Sequence, residues 1–162
     1  MAEEQGILRA LTDRQQLLDE IKAARAQVLA AIERLPEEQC KKPAVDGWSV
    51  KDHINHLTAC DEIRFFEISR VSQGGRAASR VPEGEPMDAF NESIVTQRRH
   101  LPMEQAIADL NFARSLVTEA IMGAPEHALD PKAYVNYAVN GSIEHDFAHA
   151  AAIREWRKSE GI

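Results

Sequence analysis

Apolar residues recur at three- and four-residue intervals along most of the chain, and polar, turn-rich stretches separate the stripes. Leu17, Ile21, Ala24, Val28, Ile32 and Leu35 form the first stripe, the spacing of one helix face. Thr12 and Gln15 before it have the form of a capping box, and Pro36 predicts the helix end near Leu35. EEQCKKPAVDG, residues 37–47, reads as a turn-rich connector. Ser49 then offers an N-cap, with Asp52 three residues on. A second helix is expected over 50–71, with Val50, Ile54, Leu57, Arg64 and Ile68 along one stripe.

Residues 72–87, SQGGRAASRVPEGEPM, lack periodicity and read as a loop. That loop is long enough to return along a bundle as a crossover. A short helix is expected over 88–99. A longer one starts at Pro102, carries Leu110, Val117 and Ile121, and stops at Gly123 and Pro125. A last helix is expected over 134–157, and no β-pattern or internal repeat competes. The predicted fold is all-α: a four-helix bundle with a long crossover between its second and third helices and one short extra helix, in a single domain spanning 1–162.

Composition narrows the function classes. Of 162 residues, 44% are hydrophobic and 28% charged, ordinary values for a globular chain. A formal charge of −7 repels phosphate backbones, so no nucleic-acid partner is expected. No apolar run approaches the roughly 20 residues of a membrane span, so no membrane partner is expected. The N-terminus is acidic and has no apolar signal region. Cys40 and Cys60 form no CxxC pair. A reduced, cytoplasmic protein is the expectation.

The candidate chemistry lies in SIEHDFAHAAAIREW, residues 142–156. His145 and His149 stand four apart and project to nearly the same side of a helix. Both could reach one metal ion, or both could be satisfied by hydrogen bonds inside a bundle. Catalytic zinc sites commonly use three protein ligands, and the second helix offers two further histidines, His53 and His56, in DHINH. The pair has HExxH spacing, but only thirteen residues follow it, too few to supply a metallopeptidase's third ligand. A histidine–aspartate phosphohydrolase pattern needs a later Asp, and none follows Asp146.

With these residues in place, the chain resembles the DinB-like superfamily of metal-binding four-helix bundles. GWSVKDHINHL (47–57) is similar to the family stretch in which a Trp precedes a ligand His by eight residues, here Trp48 and His56. HDFAHAAAIREW (145–156) is similar to the C-terminal ligand pair, and FNESIV (90–95) to the intervening segment. The resemblance implies His56, His145 and His149 as metal ligands and an up-down-down-up topology. His53 departs from the family's usual apolar residue; an outer hydrogen-bond partner, an alternate ligand and a partly buried histidine are its three readings. His100 and His127 read as surface residues.

Three neutral imidazoles suit Zn²⁺ or Ni²⁺. Such an ion lowers the pKa of water or favours a thiolate. The resemblance implies a low-molecular-weight-thiol-dependent transferase or isomerase, mycothiol-dependent maleylpyruvate isomerase included, or a self-protection hydrolase, with a thiol as co-substrate in the first case. The expected function is a metal-dependent enzyme acting on a small molecule. The alternative is a non-catalytic protein that binds or sequesters a metal or small molecule.

No catalytic acid or base is assigned. Asp61, Glu67, Glu144 and Asp146 lie on the two ligand helices, but Glu144 and Asp146 diverge from His145, and Asp52 serves a helix end. Cys60, four after His56, reads as a core residue, a fourth ligand or a reactive thiol. Arg70, Arg76 and Arg80 read as a solvated loop or as the holders of a ligand carboxylate. Apolar residues on opposite helix sides, Ile143 and Phe147 with Phe65 and Phe66, lead to the expectation of a homodimer.

Overall fold

The computed structural model describes residues 13–78 and 80–162. Its elements run α1 (Arg14–Ile32), α2 (Glu37–Cys40), β1 (Pro43–Val45), β2 (Trp48–Ser49), α3 (Val50–Ser72), α4 (Met87–Thr96), α5 (Met103–Gly123) and α6 (Tyr134–Glu160), with a 3₁₀ turn over Glu126–Leu129. The long helices α1, α3, α5 and α6 form the expected bundle.

Local chemistry sets the ends. Asp13 caps α1 by accepting from the Gln16 amide at 2.8 Å; Thr12, the other candidate cap, lies outside the described residues. The helix stops three residues before Leu35, because Arg34 turns left-handed (φ 57°) and the Leu35 amide bonds back to Ile32. Pro36 then caps the four-residue α2, which adds a second short helix to the one expected. Ser49 and Asp52 form the full capping box of α3, at 3.1 and 3.0 Å. Gly161, left-handed, ends α6.

The connector also holds a hairpin where no β-structure was expected. Val45 pairs with Trp48 around Asp46-Gly47, whose φ values are 51° and 83°. Positive φ at both positions is the type I′ turn that Asp-Gly favours. Strands of two and three residues are too short for alternation to reveal them, so the turn dipeptide is the only sequence signal.

Side-chain bonds fix the directions. Lys51 donates to the Arg99 and Leu101 carbonyls, both at 2.8 Å, so α3 and α5 begin at the same end. Arg14 reaches the Ala124 carbonyl at 2.8 Å, so α1 starts where α5 finishes. Arg157 reaches the Ala31 carbonyl at 2.9 Å, so α6 and α1 finish together. The topology is therefore up-down-down-up, and the crossover between α3 and α5 carries α4. Among the described residues no helix is long and apolar enough to cross a membrane.

The core is two apolar clusters, one around Leu17, Ile21, Val117 and Val139, the other around Val28, Ile54, Leu110 and Ile153. A charged layer separates them, with one residue from each long helix: Arg25, Asp61, Arg114 and Asp146, all buried. Asp61 accepts from Arg25 at 2.9 Å and from Arg114 at 2.8 and 3.1 Å. Asp146 accepts from Arg25 at 3.0 and 3.2 Å and from Arg114 at 3.0 Å. The remaining guanidinium arms reach the Leu110 and Ile21 carbonyls. Two cations meet two anions, and the hydrogen bonding closes.

Candidate metal centre

The capping box and hairpin start α3 in a fixed register, so His53 and His56 face α6 just above the charged layer. There α6 runs antiparallel and presents His145 and His149. The Nε2 atom of His145 lies 3.1 Å from Nε2 of His56 and 2.9 Å from Nε2 of His149. One nitrogen from each ring lies within 4.8 Å of the other two, a group that could hold a metal ion.

Hydrogen bonding does not satisfy this arrangement. A ring nitrogen carries one proton or one lone pair, so one good bond at His145 leaves a third nitrogen over. A cation takes three lone pairs together, and a tetrahedral ion with bonds of about 2.0–2.1 Å separates its nitrogens by about 3.3–3.4 Å. The two spacings to His145, 3.1 and 2.9 Å, fall a few tenths of an ångström short of that value. Burial pushes the imidazoles down, His56 to about 3 and His145 to about 4, with the Arg80 charge adding to both shifts. His149 goes to about 2, again through burial first and then its neighbouring histidines. All three are neutral near pH 7, the form in which imidazole ligates.

His53 is buried, and its Nδ1 lies 2.9 Å from Nδ1 of His149. It therefore engages the far nitrogen of His149, as partners outside a metal's ligand set do. Of its three readings, the contact with His149 fits an outer hydrogen-bond partner, and the side chain is also buried. The Trp48 ring packs on His53 and His56, with centroids 5.5 and 5.2 Å away. Its Nε1 donates to Glu92 at 2.8 Å, Glu92 pairs with Arg99 at 2.7 Å, and Arg99 with Asp52 at 3.0 Å. This chain ties the hairpin, α4 and the start of α3 together around the site.

Two clefts open beside the histidines. One, of about 620 Å³, is lined by Trp48, His53, His56, Asn91, Glu92 and His149. The other, of about 410 Å³, is lined by Arg64, Arg80, Tyr137, Glu144 and His145 among others. Cys60 Sγ lies 3.6 Å from Nε2 of His56, and burial pushes its thiol up to about 11, so it stays protonated.

The candidate carboxylates separate by position. Asp61 and Asp146 belong to the charged layer, and Glu67 pairs with Arg64 at 2.6 Å. Glu144 is exposed and lines the second cleft together with His145. His100 and His127 are exposed, as expected. Sequence reasoning missed Arg25 and Arg114; the available signal was a charge beside Ala24 and Ala113 on otherwise apolar stripes.

Solved structures share this fold. An uncharacterised protein from Escherichia coli UTI89 matches with a TM-score of 0.74 at 14% identity, covering 94% of this chain and 96% of that one. A protein from Streptococcus pneumoniae matches with 0.75 at 15%, covering 96% and 94%. The colibactin self-resistance protein ClbS, in complex with double-stranded DNA, matches with 0.79 at 11%, covering 91% and 97%. That complex overturns the expectation of no nucleic-acid partner. Net charge sums over a whole surface, whereas a duplex meets one face of it. No curated protein matches the chain. The sequence profile of the DinB superfamily matches residues 20–154, nearly the whole bundle, and the chain belongs to that superfamily.

Proposed function

We propose that the protein is a metal-dependent enzyme acting on a small molecule, by thiol transfer, isomerisation or hydrolysis, with His56, His145 and His149 as the ligands of Zn²⁺ or Ni²⁺. The observation that carries this reading is the convergence of three neutral Nε2 atoms beside two open clefts. Bound there, the ion supplies Lewis-acid activation of water or of a thiol co-substrate. His53 orients His149, and Trp48 packs the opposite ring and limits water at its back. The self-resistance role of ClbS supports a reactive compound as the substrate class.

A binding protein that sequesters its ligand is the second reading. One observation favours it: the buried carboxylates nearest the ligand helices' centre, Asp61 and Asp146, are committed to arginines and free for no proton transfer. Metal analysis of untagged protein tests the site. Wild type retains about one equivalent, and His56→Ala loses affinity at least about 100-fold, more than the loss of an outer partner causes; full retention refutes the ligand set. Thiol-conjugation and hydrolysis assays with and without EDTA separate enzyme from binder. The homodimer belongs to the same reading, supported by Phe66 and Phe147, 69% and 41% exposed. Sedimentation as a monomer at micromolar concentration removes it.

A further inference from the structure

The two clefts beside the histidines differ in charge. Asp46, Asp88 and Glu92 line the cleft of His53, His56 and His149. Two arginines, Arg64 and Arg80, line the cleft that His145 faces, against one carboxylate, Glu144. A substrate bearing an anion is repelled from the first cleft and drawn to the second.

The two arginines are not equivalent. Arg64 is committed to Glu67 at 2.6 Å and to the Ser142 hydroxyl at 3.3 Å. Arg80 is half-buried, and among the described residues its donors meet only sulfur: Cys60 Sγ at 3.4 Å and Met87 Sδ at 3.7 Å. Thiol and thioether are the weakest acceptors a guanidinium can meet, whereas its planar fork matches a carboxylate in two parallel bonds. The other half-buried or buried arginines of α1, α5 and α6 end on carboxylates or carbonyls. Among the described residues Arg80 therefore keeps recognition capacity that the fold does not use. Its charge also reaches the His56 and His145 rings, which puts it within range of whatever lies over them.

We propose that Arg80 anchors a carboxylate on the substrate or thiol co-substrate, so that the molecule handled at the histidine cluster is an organic acid docked in the cleft of Arg64, Arg80, Tyr137 and His145. This rests on the metal-centre reading for the reacting end of the molecule, but the carboxylate contact needs no metal. Tyr137, exposed at the rim, gives the organic part an aromatic surface. The loop of residues 73–86 brings Arg80 to the site, so the crossover contributes specificity as well as connection.

The test compares 3-mercaptopropionate with its methyl ester, by calorimetry and by the visible spectrum of Co²⁺-loaded protein. The acid binds wild type at least about tenfold more tightly than the ester. Arg80→Gln removes that preference and leaves ester binding and the melting temperature unchanged. Failure of the acid to bind, equal affinity for acid and ester in wild type, or a preference that survives Arg80→Gln, each overturns the anion anchor. Protein that retains no Co²⁺ overturns the metal centre instead, and the anchor is then decided by the same acid–ester comparison on metal-free protein. A second acid without sulfur, propionate, separates the sources: competition with the thiol acid assigns the carboxylate contact independently of the thiol, and its absence overturns that contact.

Discussion

Two polar clusters lie side by side on α3 and α6, built from residues that are nearly neighbours in sequence: Asp61 and Asp146 in one, His56 and His145 in the other. In the charged layer every carboxylate oxygen and every guanidinium arm has a partner, and opposite charges balance. In the histidine cluster three ring nitrogens face one another, and the single nitrogen of His145 that meets both neighbours makes one good hydrogen bond and leaves the other without a partner. The first is closed and holds four helices at one height. The second is open, and its surplus lone pairs are what a cation binds. The charged layer is buried throughout, whereas His145 and His149 are half-buried beside open clefts, so both solvent access and completeness of hydrogen bonding distinguish structure from site.

The largest expected effect comes from opening the closed cluster. Asp146→Ala leaves two buried guanidinium groups with one carboxylate, and urea unfolding reads a loss of about 3–5 kcal/mol. A loss below about 1 kcal/mol would erase the contrast between the clusters. Next is acid. The histidines of the metal-free fold titrate at about 3, 4 and 2, far below the unfolded value of about 6.5. Stability is therefore fully present above pH 6.5 and falls as the pH drops towards 4, because the unfolded chain takes up protons that the folded rings refuse. Thermal melts across pH 4–7 measure this, and the slope flattens in His145→Ala. An unchanged slope means the ring is solvated in the folded protein.

The smallest effect sharpens the comparison at its border. His53→Ala removes the group that engages the far nitrogen of His149, and metal affinity drops about 10–100-fold while the other ligands persist. Competition with a chromophoric chelator measures that drop. A loss as large as that of His56→Ala would make His53 a ligand.

Periodicity alone placed the four long helices, because each stripe must bury one face and the required spacing is local. The Ser49–Asp52 cap and the pairing of His145 with His149 were equally legible, since three- and four-residue spacings fix which side chains share a turn. Asp46-Gly47 carried its hairpin in the dipeptide, though the strands beside it were too short to be seen. Arg25 and Arg114 were visible only as charges on apolar stripes.

The remaining decisions were made across the bundle. His56 and His145 are 89 residues apart in sequence, and whether it is His56 or His53 that meets Nε2 of His145 depends on the height at which α3 lies against α6. The charged layer sets that height. Sequence determines which residues share a face, because helix geometry repeats every few residues; only packing decides which faces meet and which atoms are left without partners.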